Sequence, residues 1–265
     1  MKIISFSLYN KRFKDNFNMI INCMLMPYIY KDWQIWIYID DTIPIAIKEI
    51  LKTFDYVKLI EMPRHQSSAA MMWRFLPAGE NIEYMISRDA DSWLSQREFL
   101  CVEEWIQSEK DFHIICDHCY HSQKIMGGMW GVKGNILTDI KNLTEEYAKN
   151  NSYDQGFLAD VIYPLIKDKI GVHRGDQYDN KGNKIIYEDY CLPIKETSEN
   201  DEPILGLSFN KVHRLNEFKC SHCGKIHTTY IGAILENLDD KMIAVVKEYM
   251  DKFNITITIS EGNIL

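Results

Sequence analysis

Residues 84–91 read YMISRDAD, in which a short apolar segment runs directly into an arginine and two aspartates. An apolar run of this length with polar residues after it is typical of a short buried strand. The two aspartates therefore stand at the carboxyl end of that strand. The segment is the fourth strand signal in the chain, and its place in the series decides the fold class.

Strand and helix signals alternate along the first half of the chain. Strand segments lie at residues 3–8, 33–39, 57–60, 84–87 and 112–116. The helix signals between them are a 3.6-residue apolar period after Asp15, Pro44 in a first turn, a helix around 69–75, and a Ser95/Glu98 capping box for a helix to about 108. This alternation predicts an α/β fold with a Rossmann-like, mostly parallel central sheet and helices on both faces.

Polar side chains follow several of these strands at the point where each strand ends. Ligands of such sheets bind beyond the carboxyl ends of the strands. We therefore expect one shared rim, formed by Asp40, Asp41, Arg64, Asp89, Asp91 and Asp117.

The pattern loosens after residue 130. Helices are predicted at 136–149 and 154–166, and the polar segment 174–203 is predicted to be a loop that could close as a lid. We predict a catalytic α/β domain over residues 1–203. A small C-terminal extension over 204–265 would then carry a helix at 240–253 and a strand at 255–259.

Composition narrows the class of protein. The 265 residues carry a formal net charge of −8 and contain no Lys/Arg run, which excludes an ordinary duplex nucleic-acid binder. The seven cysteines are an odd number, no secretory signal is visible at Met1, and no apolar run reaches the length of a membrane span. We expect a cytoplasmic protein with free thiols.

The acidic pair Asp89 and Asp91 is a candidate site for Mg²⁺ or Mn²⁺. Two carboxylates one residue apart can both reach one hard cation, which keeps further positions for phosphate oxygens. Such an ion neutralises the charge that grows on a departing diphosphate, and the guanidinium of Arg88 suits phosphate or a carboxylate. An Asp-x-Asp tripeptide is frequent by chance, so its position after the fourth strand carries the prediction.

The order and spacing of several segments resemble the glycosyltransferases of the GT-A fold, and more closely the small ones encoded by large DNA viruses of algae and amoebae. The resemblance covers roughly residues 1–175. The segments that carry it are SFSLY at 5–9, MWRFLP at 72–77, SRDADS at 87–92, GGMWG at 127–131 and YDQGFL at 153–158.

The resemblance implies roles for residues along the rim. Ser7 and Tyr9 would hold the nucleotide, with Tyr9 stacked on the base. Asp40 would bond the base or ribose, although a turn and helix cap is an equal alternative. The diphosphate or ribose would meet Arg64, Arg74, Arg88 and Asp89. For Arg74 the alternative is a side chain that lies over the core.

Further roles concern the sugar, the ion and the proton. Gly128 would allow close backbone approach, and Trp130 would form a wall for the sugar or acceptor, or else pack in the core. His173 would be the third metal ligand after Asp89 and Asp91, but Arg174 follows it where the family often has Asp. Asp154 is the leading candidate for the general base, with helix capping as its structural role. Asp117 is the second candidate.

The segment CSHCGKIH at 220–227 is a separate candidate for a structural zinc site. Cys220, Cys223 and His227 would be ligands, and His213 or Cys191 would supply the fourth. Two reduced cysteines in a hairpin are an equal alternative.

These expectations describe a metal-dependent hexosyltransferase that uses a UDP- or GDP-sugar, UDP favoured, and a glycan or glycoprotein acceptor. An inverting reaction is favoured, with a retaining one left open, and a viral protein acting in host cytoplasm fits the resemblance. A sugar-nucleotide nucleotidyltransferase is the second enzyme hypothesis, but the first loop, residues 7–12, lacks that class's glycines. A zinc-stabilised binding module is the non-enzyme hypothesis.

Overall fold

The structure is a computed structural model that describes residues 1–10, 13–64, 68–116, 121, 123–150 and 153–174, together with five short strands nearer the C-terminus. Within these residues the chain forms one eight-stranded sheet and two separate two-stranded hairpins.

The strands of the large sheet are β1 (Lys2–Leu8), β2 (Trp33–Ile39), β3 (Val57–Glu61), β4 (Tyr84–Ser87), β5 (Phe112–Cys116), β6 (Trp130–Lys133), β7 (Ile170–Arg174) and β8 (Cys191–Pro193). Five of them lie where the sequence predicts them, and the other three, β6 to β8, were not predicted. β8 lies within the segment 174–203, where the prediction of a loop was wrong at that place because a three-residue strand gives no readable period. The order of the strands across the sheet is β3-β2-β1-β4-β6-β5-β7-β8. The hairpins consist of β9 (Phe218–Lys219) with β10 (Ile226–His227), and β11 (Ile259–Ser260) with β12 (Asn263–Ile264).

Most neighbouring strands of the large sheet run parallel. β6 is the exception among the described strands, because it lies antiparallel between β4 and β5. The sequence analysis predicted no strand at this place. Gly131 explains the close fit of β6, since a Cβ there would meet the Met85 carbonyl at 2.9 Å and the Trp105 ring at 3.0 Å.

Helices connect the parallel strands. They are α1 (Phe13–Ile29), α2 (Ile45–Leu51), α3 (Gln96–Gln107), α4 (Ile140–Asn150), α5 (Asp154–Phe157) and α6 (Tyr163–Ile166). A 3-10 helix spans Ser68–Gly79, a π-helical turn (Leu158–Ile162) joins α5 to α6, and a short 3-10 helix (Lys167–Lys169) precedes β7. None of the helices among the described residues is long and apolar enough to cross a bilayer.

Alternation along β1 divides the apolar core between the two faces of the sheet. Ile4, Phe6 and Leu8 pack with α1, α2 and α3 on one face. Ile3 packs on the other face with the 3-10 helix, α4 and the α5–α6 region. A sheet covered on both faces is what alternating strands and helices require, so the predicted α/β architecture is confirmed.

Two helical segments differ from the predicted regular helices. At residues 69–75 the chain is wound as a 3-10 helix, and the Ser7 hydroxyl supports this winding by donating to the Met71 carbonyl (3.2 Å) and accepting from the Arg74 N–H (2.9 Å). In 154–166 the helix is interrupted by the π-helical turn just before Pro164. Proline has no N–H to donate, which breaks the regular ladder there.

The predicted domain boundary at 203/204 lies outside the described residues, as do the helix predicted at 240–253 and nearly all of the strand predicted at 255–259.

Candidate active site

The rim predicted from the sequence is built where the central strands end. β1 and β4 are parallel neighbours, with Ser5 paired to Ser87, so the residues after both strands emerge at one edge of the sheet. The Ser87 hydroxyl donates to the Gly127 carbonyl at 2.7 Å, which ties the end of β4 to the segment before β6.

Arg74, on the 3-10 helix, is the central side chain of this edge. Its Nη2 donates to Oδ2 of Asp154 at 2.7 Å, and its Nη1 donates both to the Arg88 carbonyl at 3.2 Å and to Oδ1 of Asp89. One guanidinium therefore joins the first aspartate after β4 to the first residue of α5. A fork of fixed donors suits such a bridge better than a lysine would.

The charge of Arg74 is secured by this pairing. Burial lowers the pKa of Arg74, but the carboxylates of Asp89 and Asp154 outweigh it, and the pKa is raised overall. Arg74 Nε has no hydrogen-bond partner and is buried. The edge thus holds a permanent cation between two carboxylates.

Gly127 and Gly128 lie against this cluster. A Cβ on Gly127 would collide with Arg74 Nη2 and Asp154 Oδ2, and one on Gly128 would collide with the carboxylate of Asp89. Only the absence of side chains lets this backbone approach so closely. The close approach expected for Gly128 is therefore present, and in this structure it is directed at Asp89.

The turn after Asp89 is anchored to α1 by two buried asparagines. Asn22 Nδ2 donates to the Ser92 carbonyl at 2.8 Å, and its Oδ1 accepts from the Leu94 N–H at 2.9 Å. Asn18 Oδ1 accepts from the Trp93 indole N–H at 2.6 Å. Sequence reasoning missed both residues, although asparagines one helical turn apart in an apolar helix were the available signal.

The Asp89 carboxylate remains accessible, with 40% of its side chain exposed, and Asp91 is partly buried. Two carboxylates at an open strand end are hard oxygen donors of the kind that Mg²⁺ and Mn²⁺ take. The residues present therefore fit a divalent ion with phosphate oxygens or water as its other ligands. In the described part of the chain, however, no three His, Cys, Asp or Glu side chains are grouped to hold a metal.

His173, expected as the third ligand, is placed elsewhere. It is fully buried in β7, with Nδ1 2.7 Å from Nε2 of His113 and Nε2 3.5 Å from the carboxylate of Glu104. His113 in turn stacks on Trp105 of α3. The two ring nitrogens of His173 thus face His113 of β5 and Glu104 of α3. The structure does not bring His173 together with Asp89 and Asp91.

Arg88 points inward from the acidic turn. Its Nε donates to Glu98 Oε1 at 3.1 Å, and the Tyr30 hydroxyl donates to the same oxygen at 2.8 Å. Both Arg88 and Glu98 are buried. Glu98 thus gives the Arg88 guanidinium a carboxylate partner inside the protein. The same contact ties α3, and Tyr30 just after α1, to the end of β4.

The predicted nucleotide residues have different surroundings. Ser7 is engaged with the 3-10 helix as described, and Tyr9 is half-buried with its ring edge-on to Trp73. Asp40 Oδ1 accepts from the Thr42 N–H at 3.0 Å and from the Thr42 hydroxyl, which is the turn role; it does not cap α2, whose N-cap residue is Pro44. Arg64 is exposed, 3.8 Å from Asp41. Of these residues, Ser7 contacts Arg74 directly, because its hydroxyl accepts from the Arg74 backbone N–H.

Trp130 lies in the core and does not form a wall. Trp130 is 1% exposed, and its ring packs edge-on against the ring of Phe75. A sugar would have to displace that packing to reach the ring, so the alternative of a core tryptophan describes this structure.

Asp117, Cys220 and Cys223 lie outside the described residues, and of His227 only the backbone strand is described. The second base candidate and the zinc hypothesis therefore stay predictions.

No protein-family model matches the sequence, and no curated protein matches it. Among solved structures, the galactosyltransferase LgtC in complex with donor and acceptor sugar analogues is similar at 11% identity, over 65% of this chain and 73% of LgtC, with a TM-score of 0.46. A glycosyltransferase involved in glycosylation of the major capsid of PBCV-1 is similar at 14% identity, over 65% and 81% of the two chains, with a TM-score of 0.44.

A synthase is similar to the same degree. The 4-diphosphocytidyl-2C-methyl-D-erythritol synthase from Anaerococcus prevotii has 10% identity over 66% of this chain and 88% of its own, with a TM-score of 0.44. Structural similarity at this level does not distinguish a glycosyltransferase from the synthase. The residues at the strand ends are therefore the evidence for a function.

Proposed function

We propose that this chain is a glycosyltransferase that moves a sugar from a nucleotide-diphosphate donor to a hydroxyl acceptor. The observation that carries the proposal is the bridge from Asp89 through Arg74 to Asp154, at the edge where β1 and β4 end. In this bridge the guanidinium of Arg74 lies between the accessible carboxylate of Asp89 and the buried carboxylate of Asp154. Gly127 and Gly128 pack against the three side chains.

In this proposal Asp89 and Asp91 hold Mg²⁺ or Mn²⁺, which would supply Lewis-acid neutralisation of the departing diphosphate. Arg74 adds a second positive charge beside the same carboxylate and lowers the electrostatic cost of an anionic donor. Asp89, Asp91, Asp154 and Arg74 together remain formally negative, so a bound divalent ion would be needed to offset their charge before a diphosphate binds.

The reaction requires one bond to break and one to form at the sugar. The bond from the anomeric carbon to the phosphate oxygen breaks, and the acceptor oxygen forms a new bond to that carbon. The acceptor proton passes to a carboxylate base, and the nucleoside diphosphate leaves. Inversion at the anomeric carbon follows if this occurs in a single displacement, which is the course we favour.

Asp154 supports two roles in this scheme. Its side chain is 5% exposed, with Oδ2 on Arg74 and Oδ1 accepting the Gln155 N–H at 2.8 Å. These contacts support an anchoring role for Asp154, which keeps Arg74 in place. Its proposed work as the base would require the carboxylate to exchange a partner for the acceptor hydroxyl.

A sugar-nucleotide nucleotidyltransferase is the second candidate, since it would use the same cation. The loop after β1 disfavours it, because residues 7–12 contain no glycine to wrap a triphosphate. A UDP-sugar as the donor, a glycan or glycoprotein as the acceptor, and action in the cytoplasm belong to the proposal as well.

The experiment is a matrix of thermal unfolding with Mn²⁺, Mg²⁺, UDP and GDP, alone and in pairs, on the full chain. Stabilisation that needs both a cation and a nucleoside diphosphate supports the transferase. UDP release from a panel of UDP-sugars then identifies the donor. A CTP- or UTP-specific response with pyrophosphate release would favour the nucleotidyltransferase. No response, with zinc in the purified protein, would favour the binding module.

A further inference from the structure

Asn22 is a fully buried amide in the middle of the apolar helix α1. Its neighbours in sequence, Ile21 and Cys23, are buried core residues. An amide removed from water without hydrogen bonds destabilises a fold, so a buried asparagine must find partners inside the protein. The partners of Asn22 lie in one place.

All of these partners are backbone groups of the turn that carries the acidic pair. Nδ2 donates to the Ser92 carbonyl at 2.8 Å and to the Ala90 carbonyl at 3.4 Å, and Oδ1 accepts from the Leu94 N–H at 2.9 Å. Both amide donors and the carbonyl oxygen are thus engaged. The contacted groups flank Asp91 on both sides.

A second contact on the same helix holds the next part of the turn. Asn18, one helical turn before Asn22, accepts from the indole N–H of Trp93 at 2.6 Å. The turn itself adds a bond from the Ser92 N–H to the Asp89 carbonyl at 3.2 Å. The backbone from Ala90 to Leu94 is therefore held from the side of α1 by Asn22, and Asn18 holds the Trp93 side chain.

We infer that Asn22 is a positioning residue for the cation and diphosphate site: it fixes the backbone from which Asp89 and Asp91 project, and contacts neither carboxylate itself. The inference rests on the proposed function for its ligand. It adds that the geometry of the acidic pair is set from the side of α1, through the backbone on both sides of Asp91.

The size of the effect follows from how strongly catalysis depends on position. A misplacement of about 1 Å can cost about 100-fold in rate. Loss of a supporting partner behind a metal ligand typically weakens metal binding about 10- to 100-fold. We expect losses of this order when the amide of Asn22 is removed.

The main variant is Asn22→Leu, which keeps the approximate volume and removes every hydrogen bond to the turn. Asn22→Asp is the second variant, because it keeps the acceptor for the Leu94 N–H but loses amide donors to Ala90 and Ser92. Ile20→Ala is the matched control: Ile20 is buried on the same helix and belongs to the core. Ile20 is two residues from both Asn18 and Asn22, so it projects from a different face of α1, and its truncation lowers stability without removing a hydrogen bond to the turn.

Three readouts are taken on the full chain: Mn²⁺ affinity in the presence of UDP, kcat and KM for UDP release, and hydrogen exchange of the Leu94 amide. For Asn22→Leu we expect at least tenfold weaker Mn²⁺ binding, a fall in kcat, and at least tenfold faster exchange at Leu94. Ile20→Ala should lower the unfolding temperature but leave Mn²⁺ affinity within about twofold. If Asn22→Leu does not fold, Asn22→Asp must show the same loss of Mn²⁺ affinity.

The outcomes separate the two proposals. Wild-type protein that binds neither Mn²⁺ nor UDP overturns the proposed function, and the ligand part of this inference with it. Wild-type binding that an Asn22 variant leaves unchanged, or weakens no more than Ile20→Ala does, overturns the inference alone. Faster Leu94 exchange together with a selective loss of Mn²⁺ affinity supports it.

Discussion

The carboxylates of Asp89 and Asp154 are joined through a single guanidinium, although one follows β4 and the other begins α5. Arg74 donates to both, and neither Gly127 nor Gly128, which lie against the group, has room for a Cβ. A change at any member of this group should therefore alter the position of the others.

Arg74→Lys should reduce UDP release by at least about tenfold while keeping the fold, because an ammonium carries the charge but cannot bridge both carboxylates as a guanidinium fork does. Arg74→Ala should lower stability strongly, by about 3–5 kcal/mol, since it leaves a buried carboxylate uncompensated. Activity assays and denaturant unfolding measure the two effects. Lys52→Arg is the control, as Lys52 is exposed and pairs with Glu49 on α2, and an equal loss there would contradict a special role for Arg74.

Asp91→Asn should abolish donor cleavage, by at least about 100-fold, and leave the unfolding temperature nearly unchanged. An asparagine at position 91 lacks the negative charge that a divalent cation requires. The turn is held by hydrogen bonds between the Asn22 side chain and the turn's backbone, which this substitution does not remove. UDP release and thermal unfolding, each with and without Mn²⁺, test this. Asp55→Asn is the matched control, because Asp55 is exposed and precedes β3, at the opposite end of the parallel strands; retained turnover in Asp91→Asn would count heavily against the metal site.

Asp154→Asn should slow transfer much more than it weakens donor binding if Asp154 accepts the proton of the acceptor. The comparison is between kcat for transfer and the affinity for UDP with Mn²⁺. An equal loss in both would assign Asp154 to anchoring Arg74 and capping α5, which are the contacts seen in the structure.

Gly128→Ala should impair Mn²⁺ and UDP binding, because the added methyl group would fall on the carboxylate of Asp89. Gly171→Ala is the matched control in β7, where a Cβ would meet nothing closer than the Lys110 side chain at 3.4 Å. Isothermal titration with Mn²⁺ and UDP should separate the two variants. Similar affinities in both would show that the turn can move aside at little cost.

Stability should fall as the pH drops below about 6.5, because burial, together with His173 and Arg88, holds the pKa of His113 well below 6.5. The unfolded chain then binds a proton at a pH where the folded chain does not. Above 6.5 both states are neutral at this residue, and this pH dependence disappears. Urea unfolding of wild type and His113→Gln across pH 5–8 measures it, with Glu104 also facing the pair through His173. An identical slope in the variant would assign the effect to other groups.

Much of the fold was predictable because the spacing of apolar residues along the chain shows which side of a strand or helix is buried. Strands β2 and β5 occupy the ranges predicted from their apolar residues, and the Ser95 cap accepts the Glu98 N–H at 3.3 Å as the capping box implied. The antiparallel strand β6 was missed, since four residues containing a glycine give too weak a period and strand direction depends on distant partners.

The sequence by itself determined the alternation of strands and helices, and with it the edge of the sheet where Asp89 and Asp91 emerge. Only the tertiary structure decided what those side chains meet. Arg74 contacts the carboxylates of Asp89 and Asp154, whereas Arg88, beside Asp89 in sequence, contacts the buried Glu98. His173 contacts His113 and not the acidic pair. Local periodicity fixes which face of an element is buried, whereas the partner of a charged side chain is set by elements far along the chain that packing brings within hydrogen-bond distance.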